Sequence, residues 1–252
     1  MKEITIFNQK FISATTNEII VFIENELIDS RKIKIISAIN VYLITLCYYD
    51  KQLSEFYNLC DIVTVDGRPL VYISKLFTKY PFPEMVGGPN LWDSLLEYGA
   101  NKKNSFYFLG STNEILNKAS SNIKNKFRNI KIVGMHHGYF DVESDICVTV
   151  VKEIKRLNPN YIYIGTQSPQ KELLANILKR SLDSGIIVLI GGAFDHFAGE
   201  KKIGNELTSR LCIDWLLRLA QEPKRLGWRY LKSNAIFIVI LFRELYKKNS
   251  IV

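Results

Sequence analysis

Cysteine is scarce in this sequence, and its spacing excludes the usual cysteine chemistries. Cys47, Cys60, Cys147 and Cys212 form no C-x-x-C pair, so neither a zinc site nor a dithiol redox motif is implied, and a reducing compartment fits. Long apolar runs are also missing. The longest, Ala235 to Phe242, has eight residues, against about 20 needed to span a bilayer as a helix. The opening MKEITIFNQKF has no apolar stretch of the leader type, so no signal peptide is expected. The nucleotide fingerprints G-x-G-x-x-G and G-x-x-x-x-G-K-[ST] are absent. So is a D-x-D pair that would hold a divalent ion on a diphosphate, and no repeat of solenoid period occurs. These absences exclude a membrane-spanning helix, a disulfide scaffold, a P-loop nucleotidase and a standard dinucleotide enzyme.

What remains is a chain of 252 residues, 47% hydrophobic and 23% charged. This is an ordinary globular composition, long enough for a sizeable core. The formal net charge is +8, unevenly spread: Lys224 to Val252 holds seven Lys or Arg and one Glu, hence +6, leaving about +2 for the other 223 residues. A basic end on a near-neutral body points to an anionic partner such as nucleic acid, anionic lipid or pyrophosphate.

Short β-branched runs alternate with amphipathic stretches. The predicted strands are Ile33–Ile36, Asp61–Val65, Ser105–Leu109, Ile130–Gly134, Tyr161–Ile164 and Ile186–Ile190. Helices are predicted at Asn17–Asp29, Asn90–Ala100, Thr112–Phe127, Ser144–Leu157, Pro169–Ser184 and Thr208–Gln221, among others. Continuous apolar strands in βαβ spacing predict an α/β, Rossmann-like parallel sheet covered by helices on both faces. Pro81-Phe82-Pro83 and Gly87-Gly88-Pro89 suggest a lobe boundary near 81–89. Pro223 interrupts any helix running into it. The expected division is therefore an α/β catalytic body over 1–223 and a basic, apolar C-terminal appendage over 224–252.

In such sheets ligands sit beyond the carboxyl ends of the strands. Four turns stand there: Asp66-Gly67, Gly110-Ser111-Thr112, Gly165-Thr166-Gln167-Ser168 and Gly191-Gly192-Ala193-Phe194-Asp195. Small residues there let backbone N–H groups approach a phosphate.

A series of segments runs from Asn40 in SAIN through VDGRPLVY, PEMVGGPNLW, FYFLGS, GMHHGYF, IGTQSPQKE and IGGAFDHFAG to DWLLRLAQEPKRLGWRY. In that order the series resembles the WecG/TagA/CpsF family of bacterial glycosyltransferases. The resemblance implies an inverting, metal-independent transfer of a sugar from a UDP-sugar to an undecaprenyl-diphosphate-linked saccharide, in cell-surface polysaccharide or teichoic acid synthesis. N-acetylmannosamine, its uronic acid and glucose are all open as the donor sugar. The resemblance implies no cofactor, and it implies an α/β core whose C-terminal appendage docks on the membrane and helps close the active site. It further implies a homo-oligomer of dimers or trimers. The expected location is cytoplasmic, peripheral on the inner face of the bacterial plasma membrane.

Roles follow the motifs. Inversion needs one general base for the acceptor hydroxyl, and positive charge on the departing diphosphate. Asp66, at a strand end before Gly67, reads either as that base or as a turn aspartate, and the resemblance favours the base. Asn40 reads equally as a sugar contact or a helix cap. Gly110, Tyr139, Gly165, Lys171, Glu172, Gly192 and Asp195 are carried over as nucleotide-sugar contacts, Asp195 having a short-helix cap as its plain alternative. Arg218, Arg225 and Arg229 are the expected diphosphate clamp, since guanidinium forks match phosphate oxygens. Their plain alternative is a solvated or headgroup-binding face.

No metal is expected at His136-His137, because neighbours on a strand point to opposite faces; one packed and one loop histidine is the expectation. The apolar tail NAIFIVILF with its basic borders suits a headgroup boundary, the alternative being a buried last element or a dimer contact. Nucleic acid is not expected as a partner, since aliphatic rather than stacking aromatic residues interleave the basic ones.

The chain departs from the family pattern at Ala38, where the family has Thr, and at Met85 and Asn90, where it has Arg and Asp. It departs again at Gln170-Lys171, at Ile203-Gly204-Asn205 and at Asp214. These positions bear on sugar choice and nucleotide contact. They leave open a second reading, a catalytically impaired member that serves as a scaffold in a polysaccharide assembly complex.

Overall fold

The computed structural model describes residues 1–27, 32–201, 208 and 211–249. Eight strands are described: β1 Lys2–Ile6, β2 Gln9–Ser13, β3 Ile33–Ile39, β4 Ile62–Val65, β5 Ser105–Gly110, β6 Lys131–His136, β7 Tyr161–Gly165 and β8 Gly185–Leu189. The first two form an antiparallel hairpin, and the other six form one sheet in the order β4-β3-β8-β7-β5-β6. The pairs β3 with β8, β8 with β7, β7 with β5 and β5 with β6 are all parallel. The α/β class and all six sheet strands read from the sequence are therefore present, with ends shifted by a few residues. Every residue of β4, β5 and β7 is buried, which is why these strands are largely apolar rather than alternating.

The chain forms two compact units. One comprises Met1–Thr16, Ala38–Gly87 and Lys202–Val252; the other comprises Asn17–Ser37 and Gly88–Lys201.

In the first unit, α2 (Val41–Tyr49) and α3 (Lys51–Asn58) follow β3, and α4 (Arg68–Phe77) follows β4. Asn40 and Asp50 cap α2 and α3 by accepting from the Leu43 and Leu53 N–H groups, each cap contributing about 1 kcal/mol. The β1–β2 hairpin was not read from the sequence, and its turn explains why. Phe7 and Asn8 both have positive φ, 56° and 58°, as a two-residue type I′ turn needs, but the usual Asn-Gly signal is missing. Burial holds Phe7 there instead, its ring lying 5.4 Å from each of the rings of Phe77 and Phe237.

In the second unit, α5 (Gly88–Asn101), α6 (Asn113–Lys126), α7 (Asp145–Leu157) and α8 (Gln170–Ser181) alternate with the strands, and the short α9 (Ala193–Phe197) follows β8. Thr112 and Ser144 cap α6 and α7 through their hydroxyls. The expected helix from Asn17 is α1, Thr16–Phe22, continued by a π-turn over Ile23–Leu27.

Two helices end the chain in the first unit: α10 (Asp214–Gln221) and α11 (Pro223–Asn249). Proline opens α11, where its missing N–H costs nothing. At 27 residues this helix is about 40 Å long. One stripe, Leu226, Ser233, Phe237 and Ile240, is buried, and the helix packs on α2. The opposite stripe carries Trp228, Phe242 and Tyr246 at 74%, 67% and 76% exposure. The tail is thus partly a core element and partly an open apolar face. Among the described residues no helix is long and apolar enough to cross a membrane.

Candidate active site

Asp66 is the first residue after β4. Its N–H donates to the Ile39 carbonyl at 2.9 Å, which pins the end of β4 to the end of β3 just before Asn40. Gly67 then takes φ +116° and α4 begins, with Pro69 in its first turn. An L-residue at Gly67 would be strained, so the glycine allows the chain to turn directly behind the carboxylate. Asp66 is half-buried, and among the described residues its carboxylate takes part in no hydrogen bond or ion pair. Gly87 closes the other side: a Cβ there would lie 2.9 Å from Asp66 Cβ, 3.0 Å from the Val65 carbonyl oxygen and 3.1 Å from Ala38 Cβ. The backbone of the second Gly-rich punctuation thus sits against the candidate base.

Asn40 has its Oδ1 committed as the α2 cap, accepting from Leu43 N at 3.0 Å. Its Nδ2 is the end left to donate.

Arg229, on α11, lies with its guanidinium carbon 4.8 Å above the Tyr42 ring of α2 and 5.6 Å from the Tyr230 ring. Its Nε is buried and has no hydrogen-bond partner among the described residues. Arg218 is exposed in the last turn of α10. The Arg225 side chain and Ile203-Gly204-Asn205 lie outside the described residues.

The second unit carries the glycine turns. Gly110, at φ +122°, touches Gly165: a Cβ on Gly110 would come within 2.7–3.0 Å of Gly165 backbone atoms. A Cβ on Gly138 would lie 2.1 Å from the Thr166 methyl and 2.7 Å from Gly110 Cα, and one on Gly165 would strike the Phe194 ring at 2.2 Å. These three glycines let the ends of β5, β6 and β7 close on one another. Gly191 and Gly192 differ, since a Cβ would meet nothing within 4 Å at the former and only Asp195 Oδ2, at 3.4 Å, at the latter. Asp195 stands inside α9, and its carboxylate pairs with Lys201 at 3.2 Å, so it is not the helix cap; that position belongs to Gly192.

Lys171 and Glu172 are both buried and paired at 2.7 Å. Ser168 donates to Glu172 Oε1 at 2.8 Å, and Lys171 Nζ also bonds the Ser168 hydroxyl. This pair fixes the turn before α8, and Gln170 Nε2 ties that turn to the Gly138 and Phe140 carbonyls at 2.5 and 2.9 Å. Tyr139, between them, is exposed.

His136 and His137 depart from the expectation of opposite faces. Their rings are 4.4 Å apart at 34°, because β6 ends at His136 and strand alternation stops there. Among the described residues no three His, Cys, Asp or Glu side chains gather as metal ligands.

The structure brings Asp66, Asn40 and Arg229 into one compact unit, and Gly110, Gly165, Gly192, Asp195, Lys171 and Glu172 into the other. Sequence reasoning passed over Tyr42 and gave Gly87 only a punctuating role. An aromatic two residues after the capping Asn40 was the available signal for the first.

The fold thus supplies a parallel α/β sheet with a carboxylate at a glycine-backed strand end, and an arginine-bearing terminal helix, an architecture that many chemistries share. The comparisons make the class specific. The model of the glycosyl transferase WecG/TagA/CpsF family matches residues 4–251, and the chain belongs to that family. Similar curated proteins are the N-acetylglucosaminyldiphosphoundecaprenol N-acetyl-β-D-mannosaminyltransferases of Staphylococcus aureus strains MW2 and NCTC 8325, each 32% identical over 184 residues. That of strain MRSA252 is 31% identical over the same length. Each alignment covers 73% of this chain and 70% of the relative.

Proposed function

We propose that this glycosyltransferase moves N-acetylmannosamine from its UDP-linked donor to N-acetylglucosamine on undecaprenyl diphosphate, with inversion at the anomeric carbon. The acceptor and sugar are those named for the Staphylococcus aureus relatives. The observation that carries the reading is the Asp66 carboxylate, held at the end of β4 by Gly67 and Gly87 and engaged by no described side chain. A carboxylate so placed takes the proton of the acceptor hydroxyl as that oxygen bonds to the anomeric carbon. The bond from that carbon to the diphosphate oxygen breaks, and UDP leaves with the electron pair. Arg229, with Arg218 and Arg225, bears the charge that develops on the leaving group. In this reading arginines supply what a divalent ion supplies elsewhere, and no cofactor is needed. Asn40 Nδ2 donates to a sugar oxygen beside the base. Gly192, Asp195 and Tyr139 serve the nucleotide-sugar.

The open stripe of α11 supports a place on the inner leaflet. Trp228, Phe242 and Tyr246 are exposed beside Lys232, Arg243 and Lys247, a pairing of apolar and basic side chains that lies in the headgroup boundary of anionic membranes.

The test is Asp66→Asn. The variant should unfold at the wild-type temperature, keep its affinity for the UDP-sugar and lose transfer by at least about 100-fold, the lower range for a positioned base. Turnover within a few-fold of wild type would overturn the assignment.

A further inference from the structure

Two aromatic rings lie close to the Arg229 guanidinium, and one of them is not its neighbour in sequence. Tyr42 comes from α2, the helix capped by Asn40, and its ring centroid lies 4.8 Å from the guanidinium carbon. The Tyr230 ring is 5.6 Å from that carbon and meets Trp215 of α10 edge-on at 6.1 Å. A row Trp215–Tyr230–Arg229–Tyr42 therefore links the two C-terminal helices to the helix that starts beside Asp66. A guanidinium over an aromatic face keeps its charge and leaves its in-plane N–H groups available. The buried Arg229 Nε has no hydrogen-bond partner among the described residues, and a buried N–H of that kind costs stability unless something completes it. Among the described residues no carboxylate neutralises Arg229.

We propose that Tyr42 is a positioning residue. Its ring fixes the Arg229 guanidinium so that the N–H fork meets a diphosphate, and it thereby ties the seating of α11 to that of Asn40 and Asp66. The proposal rests on the reading of Arg229 as a diphosphate ligand and adds the residue that aims it. A diphosphate reaches the enzyme from two sources, the UDP-sugar and the lipid-linked acceptor, and the test separates them.

The experiment measures kcat and both KM values of the full chain for Tyr42→Phe, Tyr42→Leu, Arg229→Ala and the double variant Tyr42→Leu/Arg229→Ala. UDP-N-acetylmannosamine and N-acetylglucosaminyl-diphosphoundecaprenol in detergent serve as substrates, with melting temperatures alongside. Phe keeps the π face; Leu keeps apolar bulk without it. The expectation is that Tyr42→Phe retains most of the rate. Tyr42→Leu should raise one of the two KM values about tenfold, the size of a well-formed cation–π contact, and the KM that moves identifies which diphosphate Arg229 meets. Arg229→Ala should raise the same KM, and adding Tyr42→Leu to it should cost nothing more, because residues acting through one contact are non-additive.

If Arg229→Ala impairs the enzyme while Tyr42→Leu does not, or if the two losses add, Tyr42 does not aim the arginine and the proposal fails with the role of Arg229 intact. If Arg229→Ala is neutral, the reading of Arg229 itself fails. Equal losses in the Phe and Leu variants would assign the effect to the hydroxyl and overturn the proposal as well. Should Tyr42→Leu fold poorly, the Phe variant with Arg229→Lys, which keeps the charge but not the planar fork, decides the same question: a retained KM in Arg229→Lys refutes it.

Discussion

Gly87→Ala tests whether the seat of Asp66 matters as much as its carboxylate. The added methyl would arrive 2.9 Å from Asp66 Cβ, 3.0 Å from the Val65 carbonyl oxygen and 3.1 Å from Ala38 Cβ. All three distances lie well inside van der Waals contact. None of these atoms is the free end of a flexible side chain, and Val65 and Asp66 are fixed by the buried β4 and by the bond from Asp66 N to Ile39 O. The strain must move the strand end, at about 1–3 kcal/mol for overpacking of this kind. In a chain of this size that lowers the melting temperature by roughly 2–10 °C. The effect on rate should be larger, because about 1 Å of displacement at a reacting group costs on the order of 100-fold. Transfer kinetics and thermal unfolding are to be measured on the same preparations. Gly227→Ala is the matched control: there a Cβ meets nothing nearer than Leu219 Cδ1 at 3.9 Å, and alanine in a helix interior gains up to about 1 kcal/mol over glycine. A Gly87→Ala enzyme with wild-type kcat and melting temperature would refute the argument that this glycine sets the carboxylate.

Two further outcomes follow from burial and exposure. Phe242→Glu combined with Tyr246→Glu removes two exposed rings from α11 and adds negative charge, so sedimentation with vesicles containing anionic lipid should fall at least about tenfold at an unchanged melting temperature; undiminished binding would remove α11 from the membrane. Deleting Lys224–Val252 is a poorer test, because it also strips Leu226, Phe237 and Ile240 from the core. The phenols of Tyr107, Tyr161 and Tyr163 are pushed above their ordinary value, chiefly by burial, with Glu153 adding to the first, Glu24 to the second, and Tyr161 and Asp93 to the third. The folded protein therefore keeps protons that the unfolded chain sheds near pH 10, about the ordinary tyrosine value. Above that pH the unfolded state binds fewer protons and stability falls as pH rises. Absorbance at 295 nm should show part of the 13 tyrosines ionising only on unfolding; a single native titration of all of them near pH 10 would contradict the burial.

The sheet was legible because its central strands are buried on both faces, so continuous runs such as YIYIG and SFYFLG can be little else. The caps at Thr112 and Ser144 made two helix starts equally plain. The hairpin was illegible because its turn is set by burial of Phe7 among Phe77 and Phe237, residues 70 and 230 positions away, and no local window contains that cause. The histidine pair misled for a related reason: alternation holds only while a strand lasts, and β6 ends at His136, so His137 already lies beyond it.

The glycines show the same limit more sharply. As sequence, Gly110, Gly165 and Gly192 look alike, each a small residue after an apolar run. In the fold Gly110 lies against Gly165, and Gly165 against Phe194, whereas Gly192 is open toward Asp195. Adding a methyl at Gly165 attacks the packing of the sheet; adding one at Gly192 changes only a turn surface. A glycine that serves close packing and a glycine that serves a ligand differ by what stands opposite the missing Cβ. That is a property of long-range contacts, which the residues on either side do not encode. For the same reason Tyr42 acquires meaning only once α11 returns to α2 and sets Arg229 over it.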